Sequence, residues 1–201
     1  MKKYKLTKLQ SQTKPNWEKI NPLNDFSYPW RVEAAPQTIF RGAQDGEYFY
    51  FQFEAYGPKP LVYVDTNSKL EVIHSERVEI FFRSDEKMTP YYCLEMDPHG
   101  RVLDYEANHY RQFNRDWQWP DDLAIQTRVE GNKYILSGKV KLDTLADLNL
   151  LKDNQIQAGL YRGHCNNLVG KKATLKWISW VDSETPEPDF HVASSFGLLM
   201  L

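Results

Sequence analysis

The 201-residue sequence contains only two cysteines and has no strong excess of charge of either sign. Two cysteines cannot form the disulfide framework of a small secreted scaffold. The 25 basic and 27 acidic side chains leave a net charge of −2, which argues against general binding to nucleic acid or to an anionic membrane surface. No run of 18 apolar residues occurs, so we expect no membrane-spanning helix. Glycine-rich phosphate loops are also missing, which argues against a nucleotide-binding enzyme.

The cysteines and the chain start bear on the cellular compartment. Cys93 lies in an apolar run and Cys165 in a polar one. They are either two free thiols or one disulfide, and we expect free thiols. Met1-Lys2-Lys3 resembles the basic start of a signal peptide, but no apolar segment follows. The chain as written therefore predicts a cytoplasmic protein, or an exported or periplasmic one if a signal peptide has been removed.

Aromatic residues are abundant, at 14% of the chain, and bulky aromatic side chains favour strands. Short alternating segments separated by turn residues follow one another from residue 28 onward, without a repeat or a flexible linker. This pattern predicts an all-β, immunoglobulin-like sandwich of about ten or more short strands. One short helix is expected near Asp143, which is placed to cap it. The polar residues 1–27 are predicted to form an arm packed on a sandwich of residues 28–201. The strand candidates are residues 47–54, 76–83, 91–96, 101–105, 125–130, 134–140, 155–162, 173–181 and 196–201.

Four stretches in this order carry a family resemblance. They are residues 75–82 (SERVEIFF), 92–100 (YCLEMDPHG), 177–182 (WISWVD) and 188–197 (PDFHVASSFG). Together they resemble the family 9 carbohydrate-binding modules and their relatives, which share a DOMON-like β-sandwich. The resemblance implies a non-catalytic module that binds a saccharide or polysaccharide end. It also implies an accessory role in bacterial polysaccharide degradation, with a glycoside hydrolase as a possible partner.

The resemblance also points to candidate binding residues. Family members that bind sugar sandwich a terminal ring between two tryptophans. The first of these positions falls near Ile73 and His74, neither of which is tryptophan, and the second near Phe190, which is aromatic but smaller. His191, next to Phe190, is a further candidate ligand-binding residue. Glu79 matches the family's sugar-contacting glutamate, and Glu95 stands where the family has an asparagine.

The residues themselves suggest further contacts, each with a structural alternative. Strand alternation places Glu79 on the face opposite Val78, where it either accepts sugar hydroxyls or pairs with a neighbouring arginine. Trp117 and Trp119 are expected to form a stacking platform, unless one of them covers the core. Arg162 has the donors to bind vicinal hydroxyls, or it forms a salt bridge.

The sequence also bears on metal binding and on catalysis. The acidic, proline-rich loop after residue 181 offers candidate calcium ligands, an ion that some relatives bind. These candidates are Asp182, Glu184, Glu187 and Asp189. No cofactor is expected to be required. Asp189, His191 and Ser194 do not form a credible hydrolase triad, because no nucleophile elbow is present, and we expect no enzymatic activity.

Two other functions remain open from the sequence. One is a haem-binding, DOMON-type electron-transfer domain, for which Met96, His99 and His164 are the available axial ligands. The other is an accessory or interaction domain whose sugar site has degenerated.

Overall fold

The computed structural model describes residues 1–11, 13–120 and 122–201 and contains fourteen strands in two sheets. The predicted all-β sandwich is therefore confirmed. In chain order the strands are β1 (Lys3–Lys5), β2 (Thr7–Lys8), β3 (Thr38–Gln44), β4 (Tyr48–Tyr56), β5 (Arg77–Arg83), β6 (Tyr91–Met96), β7 (Val102–Asn108), β8 (Gln112–Asn114), β9 (Ala124–Glu130), β10 (Lys133–Lys141), β11 (Leu151–Lys152), β12 (Gln155–Val169), β13 (Lys172–Ser179) and β14 (Gly197–Met200).

The larger sheet has nine strands and the smaller one five. The larger runs β1-β14-β12-β5-β6-β7-β8, with β11 and β13 also paired to β12, and the smaller runs β2-β3-β4-β10-β9. The 15-residue strand β12 organises the larger sheet, because it pairs with β5 on one side and with β14, β11 and β13 over other parts of its length.

The first eight residues are built into both sheets. β1 pairs in parallel with β14, and β2 pairs in parallel with β3. Tyr4 and Leu6 are buried between these pairings. The start of the predicted arm thus closes one side of the sandwich, and the boundary at residue 27 stays a prediction.

One α-helix, α1 (Leu142–Asp147), follows β10. Asp143 lies inside its first turn and not at the cap, so the expected capping role is wrong. The N-cap residue is Lys141. The carboxylate that serves this end belongs to Asp122, whose Oδ2 accepts from the Lys141 backbone N–H and the Thr144 hydroxyl, both at 2.8 Å. In the described part of the chain, no helix is long and apolar enough to cross a membrane.

The main core lies between the two sheets and accounts for much of the aromatic content. Alternate residues of each strand face inward, as period-two geometry requires. β4 contributes Phe49, Phe51 and Phe53 to this core, and β5 contributes Val78, Ile80 and Phe82. All of these side chains are fully buried.

A second apolar layer covers the outer face of the nine-stranded sheet. It contains Phe81 from β5, Tyr161 from β12, and Phe190 and Phe196 from the C-terminal segment that crosses this face. Every residue of β5 is buried as a result. Polar side chains on this face of β5 therefore lie in a nearly water-free environment.

A buried ion pair ties the two sheets together. Arg162 Nε donates to Glu76 Oε1 at 2.6 Å, and the other Glu76 oxygen lies 3.1 Å from His164 Nδ1 and accepts from the Cys165 backbone N–H at 2.7 Å. Arg162 Nη1 donates across to the Tyr56 carbonyl at the end of β4, at 2.9 Å. The pair thus joins the nine-stranded sheet to the five-stranded one.

Replacing Glu76 with glutamine is expected to lower the free energy of unfolding by about 3–5 kcal/mol, because Arg162 would keep a buried charge without its partner. Urea unfolding measures the loss. The control is Glu130→Gln, which breaks the exposed Arg128–Glu130 pair and should cost less than about 1 kcal/mol. Similar losses in the two variants would contradict this account of the buried pair.

Candidate functional site

A cavity of about 230 Å³ opens on the outer face of the nine-stranded sheet. Its floor is formed by outward-facing side chains of three adjacent strands. These are Arg77, Glu79 and Phe81 of β5, Glu95 of β6, and Leu103 and Tyr105 of β7. The strand order β5-β6-β7 makes these residues neighbours across the sheet.

One guanidinium on this floor holds two carboxylates. Arg77 Nε donates to Glu79 Oε1 at 2.8 Å and lies 2.8 Å from Glu95 Oε2. The contact with Glu95 lacks hydrogen-bond geometry, so Glu95 Oε2 is buried without a donor. Glu79 and Glu95 lie directly opposite each other in the β5–β6 register. Tyr105 donates its hydroxyl to Glu95 Oε1 at 2.9 Å, which fixes that side chain.

The proximity of these carboxylates changes their protonation. Burial raises the pKa of Glu79 to about 8, and the negative charge of Glu95 adds to this effect, while Arg77 opposes it. One proton is therefore held by the pair at neutral pH, and Glu79 presents a carboxylic acid. The floor consequently offers both a hydrogen-bond donor and acceptors.

Aromatic rings form the walls. Trp177 of β13 carries the Arg77 guanidinium 5.0 Å from its ring centroid and lies edge-on to Phe190 at 5.7 Å. Phe190 stacks on Tyr161 at 4.0 Å with an interplanar angle of 10°, so one face of its ring is covered. Phe113 of β8 is 36% exposed and lines the opposite strand edge of the cavity.

The rim of the cavity is formed by Tyr110 and Arg111 from the β7–β8 connection and by Asp189 and His191 from the C-terminal segment. Asp189 accepts from the Tyr110 hydroxyl at 2.7 Å and from Arg111 Nη2 at 2.9 Å. His191 Nδ1 lies 2.9 Å from the Tyr91 hydroxyl. Burial, with a smaller contribution from Arg111, lowers the pKa of His191 to about 4, so its imidazole is neutral at pH 7.

The family model described as "Carbohydrate family 9 binding domain-like" matches residues 10–201. The chain belongs to this family. No curated protein sequence matches the chain significantly.

Solved structures share the fold of this family 9 protein. A protein of Bacteroides uniformis, described as a candidate carbohydrate-binding protein, superposes with a TM-score of 0.73 at 17% identity, covering 99% of this chain and 98% of its own. A family 9 module of Caldicellulosiruptor kristjanssonii in complex with glucose has a TM-score of 0.57 at 12% identity, with coverage of 99% and 95%. The same kind of module with cellotriose has a TM-score of 0.61 at 11% identity, with coverage of 99% and 93%.

The family 9 fold brings four of the predicted site residues together. Glu79, Glu95, Phe190 and His191 all line the cavity. Glu79 lies on the face opposite Val78, as strand alternation requires, and it pairs with Arg77, as the structural alternative predicted. Their roles in binding stay predictions.

Trp117 and Trp119 lie elsewhere. Trp119 is 6% exposed and packs against Phe82 in the core, with its centroid 5.6 Å away. Trp117 packs on Tyr92 at 4.9 Å, and the two indoles are perpendicular, at 90°. This arrangement presents no common flat surface, so the structure does not supply the expected stacking platform.

Arg162 also lies apart from the cavity. It is 2% exposed, and its donors are directed at Glu76, Tyr56 and other interior groups. The salt-bridge alternative describes this residue, because its position between the sheets leaves no face toward a ligand.

Most of the other cavity residues were not predicted from the sequence, among them Arg77, Phe113 and Trp177. Arg77 is two residues before Glu79, so alternation alone places both on one face, and this signal was available. Trp177 belongs to a stretch that carries the family resemblance, yet only the β12–β13 pairing brings it beside Arg77. Phe113 lies on a three-residue edge strand that has no clear sequence signal.

The acidic loop does not form a ready calcium site. Among the described residues, no three histidine, cysteine or acidic side chains converge in a way that suits a metal ion. Asp189 is already bonded to Tyr110 and Arg111, and Asp182 accepts from the Glu184 backbone N–H at 2.8 Å. Calcium binding by Asp182, Glu184, Glu187 and Asp189 stays a prediction.

The residues considered for haem ligation and for a hydrolase triad do not come together either. Met96 is fully buried in the core between the sheets, whereas His164 faces Glu76. Ser194 donates its hydroxyl to the Ser183 carbonyl at 2.5 Å and not to His191.

Glu79 predicts a specific dependence of stability on pH. The pKa of Glu79 in the folded state lies near 8, above the ordinary value of about 4.3, so the folded protein binds this proton more tightly than the unfolded chain does. The resulting stabilisation is complete at pH values below about 4.3. This stabilisation is lost as pH rises toward 8, with a slope of up to about 1.4 kcal/mol per pH unit. Urea midpoints from pH 5 to pH 9 should therefore fall less steeply in Glu79→Gln than in the parent protein.

The exposed Glu18 provides the control for this prediction. Glu18→Gln should keep the pH dependence of the parent protein. Comparison with the parent removes the contribution of His191, whose lowered pKa costs stability only as pH falls below about 6.5. If the urea midpoints of Glu79→Gln and of the parent protein fell equally with pH, the result would contradict a protonated Glu79 in the folded state.

Proposed function

We propose that this protein is a non-catalytic module that binds the end of a saccharide or polysaccharide chain in the cavity over β5, β6 and β7. The observation that carries the proposal is the buried cluster of Arg77, Glu79 and Glu95 beneath aromatic walls. This cluster places convergent polar groups at the closed end of an aromatic pocket, which is the usual composition of a small-molecule site.

The cavity chemistry suits a sugar ring. Sugar hydroxyls both donate and accept hydrogen bonds, and the floor provides carboxylate oxygens, a guanidinium and the acid form of Glu79. The apolar face of a pyranose ring packs against aromatic side chains, a contact that Trp177 and Phe113 are placed to make. Since 230 Å³ is below the roughly 300–1,000 Å³ of sites for drug-sized ligands, a terminal ring fits this space better than a chain passing through.

The solved relatives support this class of ligand. Structures of a family 9 module of the same fold are described in complex with glucose and with cellotriose. We extend to this chain only the saccharide class, because identities of 11–12% leave the individual contacts to be established by experiment.

A binding role also fits the state of the two carboxylates. Glu79 and Glu95 are both held by the single arginine Arg77 on the cavity floor, whereas glycosidase carboxylates flank the scissile bond. We therefore propose an accessory role beside a separate glycan-degrading enzyme, such as a glycoside hydrolase.

Binding should depend on the cavity and not on the tryptophans near the core. A glycan array, followed by calorimetry with the strongest ligand and with cellotriose, tests this point. Trp177→Ala and Glu95→Gln are each expected to weaken binding at least about tenfold, or about 1.4 kcal/mol. The matched control is Trp117→Ala, which removes an indole outside the cavity and should keep the parent affinity.

Circular dichroism establishes that each variant is folded before its affinity is measured. Loss of binding in Trp117→Ala alone would place the site on the predicted platform instead. A folded protein that binds no saccharide on the array would contradict the proposed function and favour an interaction domain with a degenerate sugar site.

A further inference from the structure

The edge strand β8 presents a basic and aromatic stripe to the cavity. Arg111 immediately precedes β8 and Arg115 immediately follows it, with Phe113 at its centre. All three side chains line the cavity, so this wall combines two guanidinium groups with an exposed ring.

The carboxylate on the same rim is already engaged. Asp189 Oδ1 accepts from Arg111 Nη2 and from the His191 backbone N–H, both at 2.9 Å, and Oδ2 accepts from Tyr110 at 2.7 Å. These bonds use its oxygens to hold the rim together. Asp189 is therefore poorly placed to accept hydroxyls from a ligand.

The charged groups on the cavity floor do not neutralise the positive charge of the rim. Arg77 faces two carboxylates, and the raised pKa of Glu79 leaves this cluster close to neutral at pH 7. His191 is neutral at that pH because burial lowers its pKa. Arg111 is balanced by Asp189, so the positive charge left over belongs to Arg115.

Arg115 has its donors available. Among the described residues, no carboxylate oxygen lies within 4.0 Å of its guanidinium. Its position is set by Phe113, whose ring centroid lies 5.5 Å from the guanidinium carbon. Arg111 donates one N–H to Asp189 and has further donors on the same wall. The groups on the rim that remain free to bind a ligand are therefore N–H donors. A complementary ligand must supply hydrogen-bond acceptors.

We propose that the cavity selects an anionic saccharide, namely one whose terminal residue is a uronic acid, with its carboxylate bound by Arg115 beside Arg111. This inference rests on the proposed function and specifies its ligand. A planar carboxylate accepts two parallel N–H bonds from a guanidinium, which gives both strength and orientation. Phe113, between the two arginines, supplies the surface against which the sugar ring packs.

The test compares saccharides that carry a free carboxylate with the same saccharides as neutral methyl esters. The affinity of the full chain is measured by calorimetry for tri-galacturonate and for its methyl ester, and likewise for glucuronate- and mannuronate-containing trisaccharides and their esters. At least one acid should bind tenfold or more tightly than its ester at low ionic strength. Added salt should reduce this ratio, because the contact is exposed to solvent.

Two variants and a control locate the effect. Arg115→Gln should bring the ratio of acid to ester affinity close to one, and Arg115→Lys should preserve part of it, since a lysine keeps the charge without the planar fork. Both substitutions are at an exposed position, so the fold should persist. The control is Arg128→Gln, an exposed arginine on β9 of the other sheet, which should leave the ratio unchanged.

The outcomes separate this inference from the proposed function. Equal binding of acid and ester, or tighter binding of neutral sugars, would overturn the inference and leave the sugar-binding function intact. Equal binding of a sulfated trisaccharide would overturn the carboxylate as the recognised group. No binding of any saccharide would overturn both.

Discussion

The proposed binding face of this protein depends on one guanidinium held between two buried carboxylates. Glu79 and Glu95 face each other across β5 and β6, and two adjacent buried carboxylates would repel each other without a cation. Arg77 supplies that cation, and retention of a proton by the pair removes the remaining charge. The cluster is buried because the C-terminal segment brings Phe190 and Phe196 over the outer face of the sheet.

Much of the fold follows from the sequence because its determinants are local. Alternation predicts β4, β5 and β6 closely, and the strand candidates 125–130 and 134–140 correspond to β9 and β10. The prediction that Asp143 caps α1 was wrong because the true determinant is not local. The capping carboxylate comes from Asp122, which lies 19 residues before Lys141, and a local pattern cannot identify such a partner.

The site was predictable only where strand alternation or the family pattern applies. Glu79 and Glu95, which line the cavity, were predicted in this way, and alternation also places Arg77 on their face. Trp177 and Phe113 come from strands far apart in sequence, and only the sheet order brings them to one cavity. Trp119 fits the alternative that one of the two indoles covers the core, since it is buried and packs against Phe82.

The most direct test is the structure of the chain crystallised with an oligosaccharide that it binds on the array. The account predicts a terminal sugar ring in the cavity, against Trp177 or Phe113, with hydroxyl oxygens within about 3 Å of the Glu79 or Glu95 carboxyl groups. A sugar bound against Trp117, or on the five-stranded sheet with the cavity empty, would contradict it.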